Sequence, residues 1–194
     1  MVGAPRQGTT FGATSATQLG FAPGEASQRR LVVPVRVKAG SKEWETHAML
    51  DGGATTTVVS QRLTKRLALQ RRKQRTHLHT VEGVSHKVWD KVSLEIQSLD
   101  RGVKIETDAL VGECLTTEED KPARDWEVKD MEHMEGVHFC DVGHEDIDVI
   151  IPVEHGWTWM GGETRRSMGC SLLALKTAWG WTLAGSMKGN HVVQ

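Results

Sequence analysis

From Leu31 to Val37 apolar and polar side chains alternate, with Val33, Val35 and Val37 on one face. That is the period-two pattern of a half-buried strand. Pro34 falls inside it, and proline donates no ladder hydrogen bond, so the strand is predicted at an edge or a strand start. Glu45–Leu50 reads as a second strand and Val58–Val59 as a short third. Ser60 then stands where a helix N-cap is expected, ahead of Gln61–Leu69. In that segment Leu63 and Leu67 share one face while Arg62, Lys65 and Arg66 face water. Thr76–Lys87, with Gly83 between extended flanks, reads as a hairpin. Val88–Ile96 and Val103–Val111 alternate again and read as half-buried strands. Residues 112–145 break the pattern, with Trp126, Met131 and Met134 scattered among acidic residues. Ile147–Ile151 is a short buried strand, and Leu172–Leu175 and Trp179–Leu183 close the domain. Many short strands, one short helix and no repeat predict a mostly-β domain, a small closed barrel.

Composition adds bounds. The chain has 194 residues, which suits one domain with tails, and 38% of them are hydrophobic. No apolar run approaches the roughly 18 residues that a membrane-spanning helix needs. The first residues lack the basic start and apolar core of a secretory signal. Residues 1–28 are rich in Gly, Ser, Thr, Ala and Gln and read as a flexible leader, with 187–194 as a tail. The net charge is -1 but unevenly spread. Gln61–Arg75 carries seven basic residues and no acidic one, and Glu113–Asp148 carries thirteen acidic residues against three basic. The basic run is too short and local to argue for nucleic-acid binding. The two segments read as solvated surface rather than as partners, since exposed pairs contribute only about 0–1 kcal/mol. The acidic segment is accordingly expected to be peripheral and poorly packed. Three widely spaced cysteines, Cys114, Cys140 and Cys170, form no disulfide framework and imply a reducing, intracellular setting.

The chemistry concentrates at Ala48-Met49-Leu50-Asp51-Gly52-Gly53-Ala54. An apolar run ends in one carboxylate, two glycines follow, and then come Thr55, Thr56, Thr57 and apolar Val58 and Val59. A strand must turn tightly here and present a single Asp, and glycine lets the chain turn and a ligand approach. This is the layout of an aspartic-protease loop, and equally that of an ordinary Asp-Gly turn between strands.

The order of elements narrows the choice. Strand, strand, Asp loop, short helix, glycine hairpin, two strands and a buried Ile-Asp-Val-Ile-Ile resemble a retropepsin, and most closely the aspartic peptidase of Pao-type (BEL/Pao) retrotransposons. Three segments carry the resemblance: Ala48–Ala54 with the helix entry Val58–Leu69, Ile147–Ile151, and Thr177-Ala178-Trp179-Gly180-Trp181-Thr182-Leu183-Ala184-Gly185. The resemblance spans roughly residues 30–186 and implies a retropepsin-like closed β-barrel with one or two short helices over residues 29–186, the acidic segment 112–145 being an insertion. It implies an aspartic endopeptidase of a retrotransposon polyprotein, in the cytoplasm or in retrotransposon particles. Asp51 would be catalytic, Gly52, Gly53, Ala54 and Thr55 would form the active-site loop, and Val81, Gly83 and Val84 the flap. Val149, Ile150 and Ile151 would form the late strand behind the loop. The implied partners are a second copy of the chain and a peptide substrate, with no metal, cofactor, membrane or nucleic acid. A homodimer follows because the chemistry needs two carboxylates sharing a proton, and each chain supplies one such loop.

Two positions depart from the family pattern. Gly52 stands where the family has Ser or Thr, whose hydroxyl bonds across the dimer, and Pro152 stands where it has glycine. Both favour the alternative of a retropepsin-like dimerisation or binding module that has lost proteolysis. Two other chemistries fit less well. His133, His138, Cys140 and His144 offer zinc-ligand types, but at a spacing that matches no zinc motif. Cys170 lacks the sequence context of a nucleophile. The seven tryptophans are expected mainly in core and groove walls.

Overall fold

The computed structural model describes residues 28–80, 83–113, 115–116, 120–158, 162–166 and 171–186, with the backbone alone at 28, 76–80, 83–87 and 157. Eleven strands are described: β1 (Gln28–Arg29), β2 (Val32–Ala39), β3 (Lys42–Asp51), β4 (Val58–Ser60), β5 (Arg72–Thr80), β6 (Gly83–Gln97), β7 (Lys104–Gly112), β8 (Ile147–Pro152), β9 (Glu163–Arg165), β10 (Leu172–Thr177) and β11 (Gly180–Ser186). Two short α-helices, α1 (Gln61–Arg66) and α2 (Asp125–Val128), and two 3-10 segments complete the described elements. No helix among the described residues is long and apolar enough to cross a membrane.

The larger sheet runs β2-β3-β8-β4-β7-β6-β5, and a further pairing of β2 with β6 closes six of its strands into a barrel. The alternating valines of β2 and the apolar faces of β6 and β7 point inward, where Val33, Val35, Val37, Val92, Ile96, Ile105 and Ala109 form the main core. Burying each such side chain contributes roughly 1.5–3 kcal/mol, which is why the period-two pattern fixes the register. Pro34 lies outside the stretch Arg36–Lys38 that pairs with β6, so its missing N–H leaves the closing ladder intact. The predicted hairpin is the tip of a longer one, with Arg72–Thr80 pairing Lys91–Gly83.

Helix α1 is capped by Ser60, whose Oγ accepts from Leu63 N at 3.0 Å. It ends earlier than the predicted Gln61–Leu69, because Ala68 takes a φ of 52°. Leu63 and Leu67 are buried as expected. Arg62 does not simply face water: it pairs with Asp146 and with buried Asp148. Most of the other basic residues between Gln61 and Arg75 are also engaged. Arg71 and Lys73 reach Asp90, Arg72 reaches Asp108, and Arg66 lies 3.2 Å over the Trp44 ring.

A second sheet, in the order β1-β11-β10-β9, carries its own core. Leu172, Ala174 and Leu183 of this sheet pack against Ala123, Val128, Met134 and Val137. The last four belong to the acidic segment, so the expectation that it is peripheral and poorly packed is overturned. Its scattered apolar residues cover one face of the second sheet, while most of its charges stay outside. Trp89 and Trp179 are core residues, as expected, whereas Trp126 stands 69% exposed on α2.

Candidate active site

Strand β3 delivers Asp51. Thr46–Leu50 are all buried, because one face of β3 points into the barrel and the other lies under Leu115, Ile147 and Ile150. Asp51, the last residue of the strand, breaks this run and emerges half-buried. The turn after it is held by its own side chain. Gly53 N donates to Asp51 Oδ1 at 2.8 Å, and Ala54 N donates to Asp51 O at 3.2 Å. A Cβ on Gly53 would lie 3.3 Å from Asp51 Oδ1, so glycine there lets the carboxylate fold back over the turn. Neither Gly52 nor Gly53 takes a positive φ.

Strand β8 lies behind the loop. It runs parallel to β3, with Ala48 opposite Val149, Met49 opposite Ile150, Leu50 opposite Ile151 and Asp51 opposite Pro152. On its other side β4 pairs antiparallel, placing Val58 opposite Ile150 and Val59 opposite Val149. The loop from Asp51 to Thr57 therefore crosses the end of β8 to join the strands on either side of it. Val149, Ile150 and Ile151 are buried at this crossing. Pro152 supplies no N–H, and the next residue takes over: Val153 N donates to Ala54 O at 3.1 Å and ties the loop to β8. Gly52, Gly53, Thr55 and half-exposed Val153 remain at the surface.

A cavity of about 290 Å³ opens beside this turn. Met49, Leu50 and Asp51 of β3 line it together with Gly52 and Gly53. Arg29, Arg30 and Leu31 come from the entry into β2, and Ala184 from β11. The bond from Leu50 N to Leu31 O, 2.8 Å long, brings these stretches together. Among the described residues, Asp51 is the one carboxylate in the cavity wall. The two arginines are held from the acidic segment: Arg29 Nη2 lies 2.8 Å from Glu127 Oε2, and Arg30 Nε lies 3.1 Å from Asp120 Oδ1. Both carboxylates are buried. Burial pushes the Glu127 carboxyl above its ordinary range, against the pull of Arg29 and Arg124.

A second buried carboxylate, Asp148, is structural. Its oxygens accept from Ser60 Oγ, from Thr46 Oγ1 at 2.7 Å, and from Arg62 Nη2 at 2.5 Å and Nε at 3.2 Å. Burial raises its pKa, but hydrogen bonds from Arg62, Ser60 and Thr46 outweigh that, and the net direction is down. Thr46 precedes Asp51 by five strand residues, roughly 16 Å at 3.3 Å each, so Asp148 is no mate for Asp51. Instead it pins β3, β8 and α1 beneath the loop.

Buried His47 was also not singled out by the sequence. Its Nδ1 donates to Asp146 O at 3.2 Å, and burial pushes its pKa down to about 4. Its ring meets His144 edge-on, and His144 stacks on Trp44 at 5.7 Å. Of the flap residues, Val81 lies outside the described residues, and Gly83 and Val84 are backbone positions of β6, paired with Thr80 and His79. The zinc-type residues do not assemble: no group of three or more His, Cys, Asp or Glu fit to hold a metal occurs among the described residues. His138 instead faces Asp125, and Cys140 is a free thiol.

No protein-family model matches the sequence, and no curated protein matches it. The solved structures similar to this chain include the following two. EIAV protease complexed with the inhibitor HBY-793 is 23% identical, covering 48% of this chain and 80% of that one, with a TM-score of 0.32. The retroviral protease-like domain of Ddi1 from Leishmania major is 13% identical, covering 84% and 98%, with a TM-score of 0.36.

Proposed function

We propose that this chain is an aspartic endopeptidase that works as a homodimer through an Asp51–Asp51′ pair. The observation that carries the reading is the display of Asp51: a single carboxylate, fixed by its own turn, at a cavity whose wall has no second carboxylate among the described residues. One carboxyl cannot be ionised to take the proton of water and protonated to polarise the scissile carbonyl at the same moment. A twofold copy supplies the second, and the exposed face of Gly52, Gly53, Thr55 and Val153 offers the surface for it. In the pair one carboxyl holds the shared proton and polarises the scissile carbonyl, while the other takes a proton from the attacking water. The shared proton sets activity at acidic to mildly acidic pH. The three-segment resemblance supports a place in the polyprotein of a Pao-type retrotransposon. The β5–β6 hairpin, with Gly83 and Val84, supplies the flap in this reading.

Gly52 favours a second reading, a dimerisation module without proteolysis, because it brings no hydroxyl to brace the paired loops. The discriminating experiment incubates the purified chain with a proteome-derived peptide library between pH 4 and 7. Cleavage that Asp51→Asn abolishes and EDTA leaves untouched supports the peptidase. Cleavage that persists in Asp51→Asn, or that EDTA stops, rules it out. A dimer with no cleavage at any pH favours the module.

A further inference from the structure

The tip of the β5–β6 hairpin gathers histidines on one face. Three of the chain's nine histidines, His77, His79 and His86, fall within it. In the antiparallel register His77 stands directly opposite His86, and His79 opposite Val84. Directly opposed residues share a face of a sheet, and so do residues two apart along a strand. All three histidines therefore belong to one face, at positions described by their backbone alone. The alternate positions, Thr76, Leu78, Ser85 and Lys87, belong to the other. The histidine face continues that of Arg75 and Val88, which are exposed, whereas Trp89 on the opposite face is buried.

The spacings suit a metal ion. On a pleated pair, directly opposed Cβ atoms lie about 4.5–5.5 Å apart and diagonal ones no more than about 7–8 Å. Residues two apart on one strand are separated by roughly 7 Å. An imidazole nitrogen binds zinc at about 2.0–2.1 Å and stands well beyond its own Cβ, so three rings on such a triangle can converge on one ion. We propose that His77, His79 and His86 form a site for a zinc-class transition-metal ion, with the fourth position left to water. The donor set is imidazole throughout, which suits zinc, copper and nickel but not magnesium or calcium, whose ligands are oxygens. The ion joins the two strands of the hairpin near its tip. The site is separate from Cys140 and the histidines around it, and it does not rest on the peptidase reading. Where that reading holds, the metal staples the flap.

The test titrates the full chain, stripped of metal with EDTA and dialysed, with zinc chloride in competition with a chromogenic chelator. Each chain should take up a single zinc ion, and excess magnesium should not displace it. His77→Gln, His79→Gln and His86→Gln should each weaken binding by about tenfold or more, since each removes one of three ligands. His138→Gln, outside the hairpin, should leave binding unchanged. Hydrogen exchange on the unaltered chain gives a readout that depends on no variant. Zinc should slow exchange at the hairpin-tip amides more than at those of the β10–β11 pair, and EDTA should reverse the effect. No zinc uptake, uptake that survives His77→Gln and His86→Gln together, or hairpin exchange indifferent to zinc overturns the proposal. So does a single zinc ion shared by two chains with a rise in sedimenting mass, which would put the ion between copies rather than within one hairpin.

Discussion

Asp51 and the residues around it show how a few side chains set the site. The turn holds its carboxylate through Gly53 N, and the backbone at Gly52 stays in ordinary φ space. A serine at position 52 is therefore compatible with the turn. If the proposed homodimer forms, Gly52→Ser should keep the fold and add a hydroxyl to the loop at its interface, strengthening dimerisation by about 1 kcal/mol per new hydrogen bond. Sedimentation equilibrium of the two proteins checks this, and a weaker dimer would contradict it. Buried His47 links stability to pH on the acid side. Its folded pKa, about 4, lies below the ordinary value of 6.5, so the unfolded chain binds the proton more readily. The stability this represents is fully present above pH 6.5 and is lost as pH falls toward 4, about 3 kcal/mol at most. Asp148, whose pKa is lowered in the fold, loses its contribution further down, below the ordinary carboxylate range. Urea midpoints measured from pH 7 to pH 4 should fall through this window, and replacing His47 with Gln should flatten the fall. An unchanged slope in the variant would assign the loss to other groups.

Among the elements, those with local signals were legible in the sequence. Alternation gave β2, β6 and β7, the Ser60 cap and the Leu63/Leu67 pair gave α1, and the double glycine gave the Asp51 turn. The acidic segment was not legible, because Ala123, Val128, Met134 and Val137 follow neither a helical nor a strand period. They sit in short helical turns and irregular backbone, and only the sheet opposite defines their common face. The arginine wall was hidden for a related reason. Arg29 and Arg30 fall between the predicted leader and the strand predicted from Leu31, and their partners Glu127 and Asp120 lie some ninety residues on, in a segment read as solvated surface. Deleting residues 118–135 should strip the cover from Leu172, Ala174 and Leu183 and remove both arginine anchors, abolishing a single cooperative thermal transition. A deletion protein that melts as sharply as the full chain would show the segment to be dispensable. In the second sheet the backbone at Gly185 leaves no room for a side chain. Gly185 has a φ of +107°, and a Cβ there would meet Ser171 O at 1.9 Å. Gly185→Ala should therefore cost more than the roughly 1 kcal/mol of an ordinary strand glycine and loosen β1 from β11. Hydrogen exchange at the β10–β11 amides reads that directly, and unchanged protection would contradict it.

At the scale of the molecule, a six-strand barrel carries one Asp loop at its rim, and a strap of acidic sequence braces the wall beside it. The loop is rigid because Asp148 pins β3, β8 and α1 beneath it and Val153 holds Ala54 above. On the proposed peptidase reading such a chain holds half of a two-carboxylate site, and its catalysis depends on a second copy. Subunit mixing tests that dependence most directly. Wild-type protein is held at a fixed amount, Asp51→Asn protein is added under conditions of subunit exchange, and peptide cleavage is followed. If each active site needs two Asp51 residues, an equal amount of variant should halve the activity, and a ninefold excess should leave about a tenth of it. Cleavage that is indifferent to the added variant would mean that each chain is complete in itself, and would contradict the account.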